Sequence, residues 1–234
     1  MTTFVLVHGA NQGAWCWDRL APALRERGHT AIAVDLPCED PAAGASAYAE
    51  VVIDALPESP DVVLVGHSLG GATIPLVAAR RHVRRLIFIC ALIPIPGRAL
   101  FEREPGAPPP IAAGFHADDI GDGTVAVPPD IASRFFYNRC TPEDAQWAIS
   151  RLRRQGRLPL REVSPLKAWP GVPRTYILCS DDQVVLPDAA RWQAQIRAGV
   201  DPIVLDADHS PFLSNVPGLA EILVTSAKDT PGPS

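Results

Sequence analysis

Six short β-branched runs recur along the chain, several of them apolar almost throughout: FVLVHG (4–9), TAIAVD (30–35), DVVLVG (61–66), RLIFICA (85–91), RTYILC (174–179) and DPIVLDA (201–207). A strand with water on one face alternates polar and apolar residues, whereas a β-branched run without alternation fits a strand covered on both faces. Between these runs the apolar residues space out helically, in WDRLAPALRERGH (17–29), SAYAEVVIDALPE (46–58) and LGGATIPLVAARR (69–81). PDAARWQAQIRAG (187–199) begins on proline and ends on glycine, a helix start and stop. Strand and helix alternate, so the pattern predicts an α/β fold: a mostly parallel central sheet flanked by helices.

The alternation breaks over residues 94–173, too long for a plain connection. That stretch holds the proline-rich EPGAPPPIAAG, a short strand at GTVAV (123–127), and helical patterns in PPDIASRFFYN and TPEDAQWAISRLRRQG. We read residues 94–173 as a cap inserted into a core made of 1–93 and 174–228, without a second core of its own. Residues 229–234, DTPGPS, are expected to be a disordered tail.

Composition narrows the classes. The formal charge of −5 is mild and the basic residues form no stripe, so nucleic acid is not an expected partner. No run approaches the roughly 20 apolar residues of a membrane span, and the first residues lack the basic and apolar regions of a signal peptide. The expectation is a cytoplasmic protein without membrane contact. Five widely spaced cysteines without a CxxC pair argue against a disulfide framework and a zinc site, and no metal or cofactor is implied. Lys167 and Lys228 are the only lysines, an arginine bias that points to a GC-rich bacterial genome.

The chemistry gathers at Gly66-His67-Ser68-Leu69-Gly70. A GxSxG lying between a strand and a helix is a nucleophile elbow, a turn so sharp that only glycine fits on either side of the serine. The alternative is a glycine-rich turn whose serine merely caps the helix. Ser68 requires a base, and the base a partner that fixes its tautomer. His209, in DADHSPFLS directly after the last strand, is the histidine whose position brings an imidazole back over the sheet. The turn after RTYILC offers Asp181 and Asp182, of which Asp182 is preferred; Asp206 and Asp208 lie too close to His209 in sequence. The amides of Leu69 and of Ala10, exposed by a turn at Gly9, are the expected oxyanion donors.

These residues resemble the plant methylesterase and hydroxynitrile lyase family of the α/β-hydrolases: FVLVHGANQGAWCW its opening, GHSLGG its elbow, FYNRCTPED a cap segment, YILCSDDQVVLP and ADHSPFLS its acid and histidine loops. The resemblance implies an α/β-hydrolase fold with an inserted cap, puts the catalytic acid at Asp182 and the oxyanion donors at Ala10 and Leu69. Lyases of this family carry a threonine after the first-loop histidine and a lysine after the catalytic histidine; here Gly9 and Ser210 stand there, which favours the esterase pattern. The Asn-Gln pair after HGA and the proline-rich cap depart from it.

The resulting expectation is a serine esterase that cleaves a small or medium apolar carboxylic ester through an acyl-enzyme. Gly9, Asn11, Phe136, Tyr137 and Trp147 are the expected substrate contacts. Alternatives are a lyase, cyclase or carbon–carbon hydrolase using the same triad as general base, and a slow-turnover ligand receptor. Expected partners are the small-molecule ester and, for assembly, a second copy in a homodimer.

Overall fold

The inner apolar runs become strands that hide both faces, while the runs at 30–34 and 203–205 form the partly exposed edges of the sheet. The computed structural model describes residues 1–102 and 104–228. In chain order its elements are β1 (Thr3–Val7), α1 (Leu20–Glu26), β2 (Thr30–Val34), α2 (Ala45–Asp54), β3 (Val62–His67), α3 (Gly70–Ala78) and β4 (Arg85–Ile89). Then follow β5 (Asp118–Asp119), β6 (Thr124–Ala126), α4 (Pro129–Phe135), α5 (Pro142–Ile149), β7 (Gln155–Gly156) and α6 (Leu158–Arg161). The chain closes with β8 (Arg174–Cys179), α7 (Pro187–Trp192), β9 (Ile203–Leu205), α8 (Pro211–Ser214) and α9 (Val216–Lys228).

The main sheet has the order β2-β1-β3-β4-β8-β9 and every pairing in it is parallel. Phe4 to Val7, Val63 to Val65 and Leu86 to Ile89 are wholly buried, as their lack of alternation requires. From β1 the chain crosses to β2 on one side and then to β3 on the other. Right-handed crossovers then place α1 and α3 on opposite faces; α1 packs with α9, and α2 with α3. The reversal between β1 and β3 opens a crevice at the carboxyl ends of the strands, where open α/β sheets bind ligands.

Between β4 and β8 the chain builds α4, α5, α6 and a small antiparallel sheet, β5-β6-β7. Val127, Ala132, Phe135, Phe136, Ala145 and Ala148 from this segment join the same hydrophobic core as the main strands. Strand β6 lies within the expected GTVAV run, but β5 and β7 are two residues each and carry no readable period. The expected helix over 187–199 changes to a π-helical turn at Gln193–Ala198 and stops at Gly199, whose φ of 68° is left-handed. Helix α9 has no counterpart among the sequence expectations; it buries Leu219, Ala220, Leu223, Val224 and Ala227 along one side. The expected tail, 229–234, lies outside the described residues. Among the described residues no helix is long and apolar enough to cross a membrane.

Candidate active site

Strand β3 delivers Ser68 to the crevice through a turn with no spare room. Its φ is +50°, a left-handed conformation that a residue with a side chain rarely adopts. A Cβ on Gly66 would lie 2.7 Å from the Gly70 carbonyl oxygen, and one on Gly70 would lie 2.6 Å from that of Val7. Both glycines are therefore required by close approach. The turn is pinned by the Ser68 amide, which donates to Ile89 at 3.0 Å, and by the Ser68 carbonyl, which accepts from Gly71 and Leu92 at 3.0 Å each.

His209 follows β9 and meets Ser68 from across the crevice. Its Nε2 lies 3.2 Å from Ser68 Oγ, and its Nδ1 lies 2.9 Å from Asp182 Oδ2. Asp182 accepts at its other oxygen from the amides of Val184 and Val185, at 2.7 and 3.0 Å. With the carboxylate so fixed, the imidazole carries its proton on Nδ1 and leaves Nε2 free to accept from the serine hydroxyl. Asp182 and His209 are buried, and Phe136 stacks on the imidazole with ring centroids 5.6 Å apart. Asp181 is engaged elsewhere, its carboxylate accepting from Gln183 Nε2 at 3.0 Å.

Two further histidines are used up nearby. His67 lies 2.7 Å from the His209 carbonyl through Nε2, and burial holds its pKa well below the usual imidazole value, with the neighbouring His209 acting in the same direction. His8 is fixed in tautomer because Leu36 N–H donates to its Nε2 at 3.0 Å. Its Nδ1–H then donates to the Gly9 carbonyl at 2.8 Å, and burial lowers its pKa to about 4. The Gly9–Ala10 peptide is planar, so holding its carbonyl aims the Ala10 N–H the opposite way.

Among the described residues the Ala10 and Leu69 amides have no hydrogen-bond partner. Both border a cavity of about 240 Å³ that Ser68 also lines, with Val125, Phe115 and Phe136 supplied by the cap segment. Two unengaged N–H groups beside a hydroxyl in an apolar cavity can stabilise a negative oxygen that forms there.

The five expected substrate contacts divide. Phe136 lines the cavity. Gly9 does not; a Cβ there would lie 2.8 Å from Ser68 Cβ, so its bareness makes room for the elbow. Asn11 borders the cavity, but its Nδ2 donates to the carbonyls of Val125 and Arg153 at 3.2 and 3.0 Å. Tyr137 is buried away from the cavity, and Trp147 packs edge-on against Trp15 with Arg151 4.4 Å from its ring. Tyr137 packs edge-on against Phe136, itself a lining residue, and Trp147 spends its aromatic surface on Trp15 and Arg151.

Asp208, set aside in the sequence for lying too close to His209, is wholly buried. Its carboxylate accepts from Ser210 N and Ser214 Oγ at 2.9 and 2.6 Å and from Arg139 N at 3.0 Å, tying the His209 loop to the cap. The available signal was its place next to the histidine. Cys90, Asp182 and His209 are the one group among the described residues whose ligating atoms, within 4.8 Å of one another, could hold a metal ion. In it the carboxylate and the imidazole Nδ1 are already bonded to each other.

Comparison with known proteins gives the same architecture. Residues 4–222 match the model of the alpha/beta hydrolase family. The chain is 30% identical to methyl jasmonate esterase 1 of Vitis vinifera, over 90% of this chain and 91% of that one. It is also 30% identical to an alpha-hydroxynitrile lyase of Arabidopsis thaliana, over 97% of both chains. The crystal structure of a pyrethroid hydrolase from Sphingobium faniae is similar with a TM-score of 0.80 and 26% identity, over 97% of each chain.

Proposed function

Because the chain belongs to the alpha/beta hydrolase family, we propose that it hydrolyses carboxylic esters through an acyl-enzyme on Ser68. The observation that carries this reading is the unbroken chain from Ser68 Oγ to His209 at 3.2 Å and from His209 to Asp182 at 2.9 Å, opening on a cavity with two unengaged amides. Esterase and hydrolase are also the names of relatives that span nearly the whole chain.

Ser68 Oγ attacks the ester carbonyl carbon while His209 Nε2 takes the hydroxyl proton. Asp182 keeps the ring oriented and stabilises the imidazolium. The Ala10 and Leu69 amides hold the oxyanion, each such donor lowering the barrier by roughly 3 kcal/mol. When the tetrahedral intermediate collapses, the proton on Nε2 goes to the departing alcohol oxygen. Water then attacks the acyl-enzyme with His209 again as base, releasing the acid and restoring Ser68.

The cavity wall fits a small or medium uncharged ester. Phe115, Val125 and Phe136 offer apolar surface, and among the described residues no acid or arginine lines it. Cyanohydrin cleavage fits less well: the residue after His209 is Ser210, buried and uncharged, so no cation stands at that position to hold a departing cyanide.

Substitution separates the roles. With p-nitrophenyl butyrate, Ser68→Ala is expected to lower kcat by roughly 10⁴-fold or more, and Asp182→Asn by about 10⁴-fold. Asp181→Asn should stay within about threefold of the unsubstituted enzyme. Reaction in ¹⁸O water should place one solvent oxygen in the acid. Retention of most of the rate by Ser68→Ala, or a larger loss from Asp181→Asn than from Asp182→Asn, contradicts the assignment.

A further inference from the structure

An oxyanion donor works only if it is held within about half an ångström of its productive place. Leu69 is held by the start of a helix. Ala10 sits instead in the irregular loop after β1, where His8 fixes the Gly9 side of the amide. The other side is fixed from outside the main sheet.

That side is Asn11, and four hydrogen bonds hold it, all to the small sheet of the cap and its approach. Its N–H donates to Gln155 Oε1 at 3.4 Å, and its carbonyl accepts from Arg153 N–H at 2.8 Å. Both hydrogens of Nδ2 are engaged by the carbonyls of Val125 and Arg153. The φ of Asn11 is +61°, a conformation that asparagine tolerates better than most residues with a side chain. The anchors are themselves anchored. Gln155 Nε2 donates to Tyr48 Oη at 2.9 Å, and Arg153 reaches Asp35 at 2.9 Å. Val125, whose carbonyl holds Asn11, also lines the cavity.

We infer that Asn11 is a positioning residue for the Ala10 amide, so that the cap strands β6 and β7 form a structural part of the oxyanion hole rather than a cover over it. The inference rests on the serine-hydrolase reading above. It assigns to Asn11 no contact with the reacting atoms.

The test uses Asn11→Gly, which keeps the left-handed backbone at low cost and removes both Nδ2 bonds. Asn11→Asp keeps the shape but sets carboxylate oxygens against two carbonyls. Each should lower kcat on p-nitrophenyl butyrate by roughly 10- to 100-fold, with KM within about threefold. The inhibition constant of an aryl trifluoromethyl ketone, whose serine adduct places an oxyanion on the same amides, should rise in step with the fall in kcat/KM. Gln155→Met, which removes the acceptor of Asn11 N–H, gives a smaller loss of the same kind and carries the test if a variant at 11 fails to fold. A folded Asn11→Gly enzyme with kcat within about twofold of the parent overturns the inference. So does a fall in kcat with unchanged affinity for the ketone. If the parent enzyme itself neither turns over the ester nor binds the ketone at Ser68, the hydrolase reading falls and this inference with it.

Discussion

Ser68 holds a left-handed backbone that costs an L-residue on the order of 1–3 kcal/mol, and three backbone hydrogen bonds keep it there. The same logic of fixing a reactive group through its neighbours runs through the site: Val184 and Val185 hold Asp182, Asp182 holds His209, and His67 holds the His209 carbonyl. Asp208 completes the set by gathering Ser210, Ser214 and Arg139 around one buried carboxylate. Asp208→Ala strands the buried Ser210 amide and removes the bonds from the partly buried Ser214 hydroxyl and Arg139 amide, and should cost roughly 2–3 kcal/mol of stability. Equilibrium urea unfolding measures it, and ester turnover should drop as the His209 loop loosens. A variant as stable as its parent would show that the carboxylate is not what ties this loop to the cap.

At the level of elements, what could be read from sequence depended on how local the cause was. Strands β1, β3, β4 and β8 were legible because burial on both faces leaves a continuous apolar run, β2 and β9 because their runs stay apolar although partly exposed at the sheet edges, and the elbow because its GxSxG pattern is contiguous even though Gly70 is pressed by Val7 from far along the chain. The order of Ser68, Asp182 and His209 along the chain was legible for a related reason: each closely follows the end of a strand of one parallel sheet. Strands β5 and β7 were not, since two residues carry no period, and α9 escaped because Pro217 and Gly218 stand in its first turn. Aromatic residues of the cap marked an apolar surface but not its direction. Phe136 reaches the cavity while Trp147 packs on Trp15, and both serve burial equally well. Asn11 was legible as a residue beside the pocket but its hydrogen bonds were not, because its partners, Val125 and Arg153, lie far along the chain and meet it only in the fold.

For the whole molecule, the parallel sheet brings four loops to one rim, and burying their histidines makes stability depend on pH. His8 is held at a pKa of about 4 against 6.5 for an ordinary imidazole, with burial as the main cause. Between these values the unfolded chain binds a proton that the folded one refuses, so stability rises with pH across that window. It is complete above about pH 6.5, and roughly 3 kcal/mol from His8 alone is lost as pH falls towards 4. His67 is also held well below its ordinary value by burial and adds a loss of the same sign. Urea midpoints should therefore fall steeply from pH 7 to pH 4.5, and a flat profile would contradict burial of these rings in neutral form. The convergence of Ser68, His209 and Asp182 at that rim is tested most directly by trapping the intermediate. Rapid mixing with excess p-nitrophenyl butyrate and acid quench should show a burst of nitrophenol approaching one equivalent per chain, with the butyryl mass on the peptide containing Ser68. Steady hydrolysis without a burst, on a peptide carrying no butyryl group, would contradict the account.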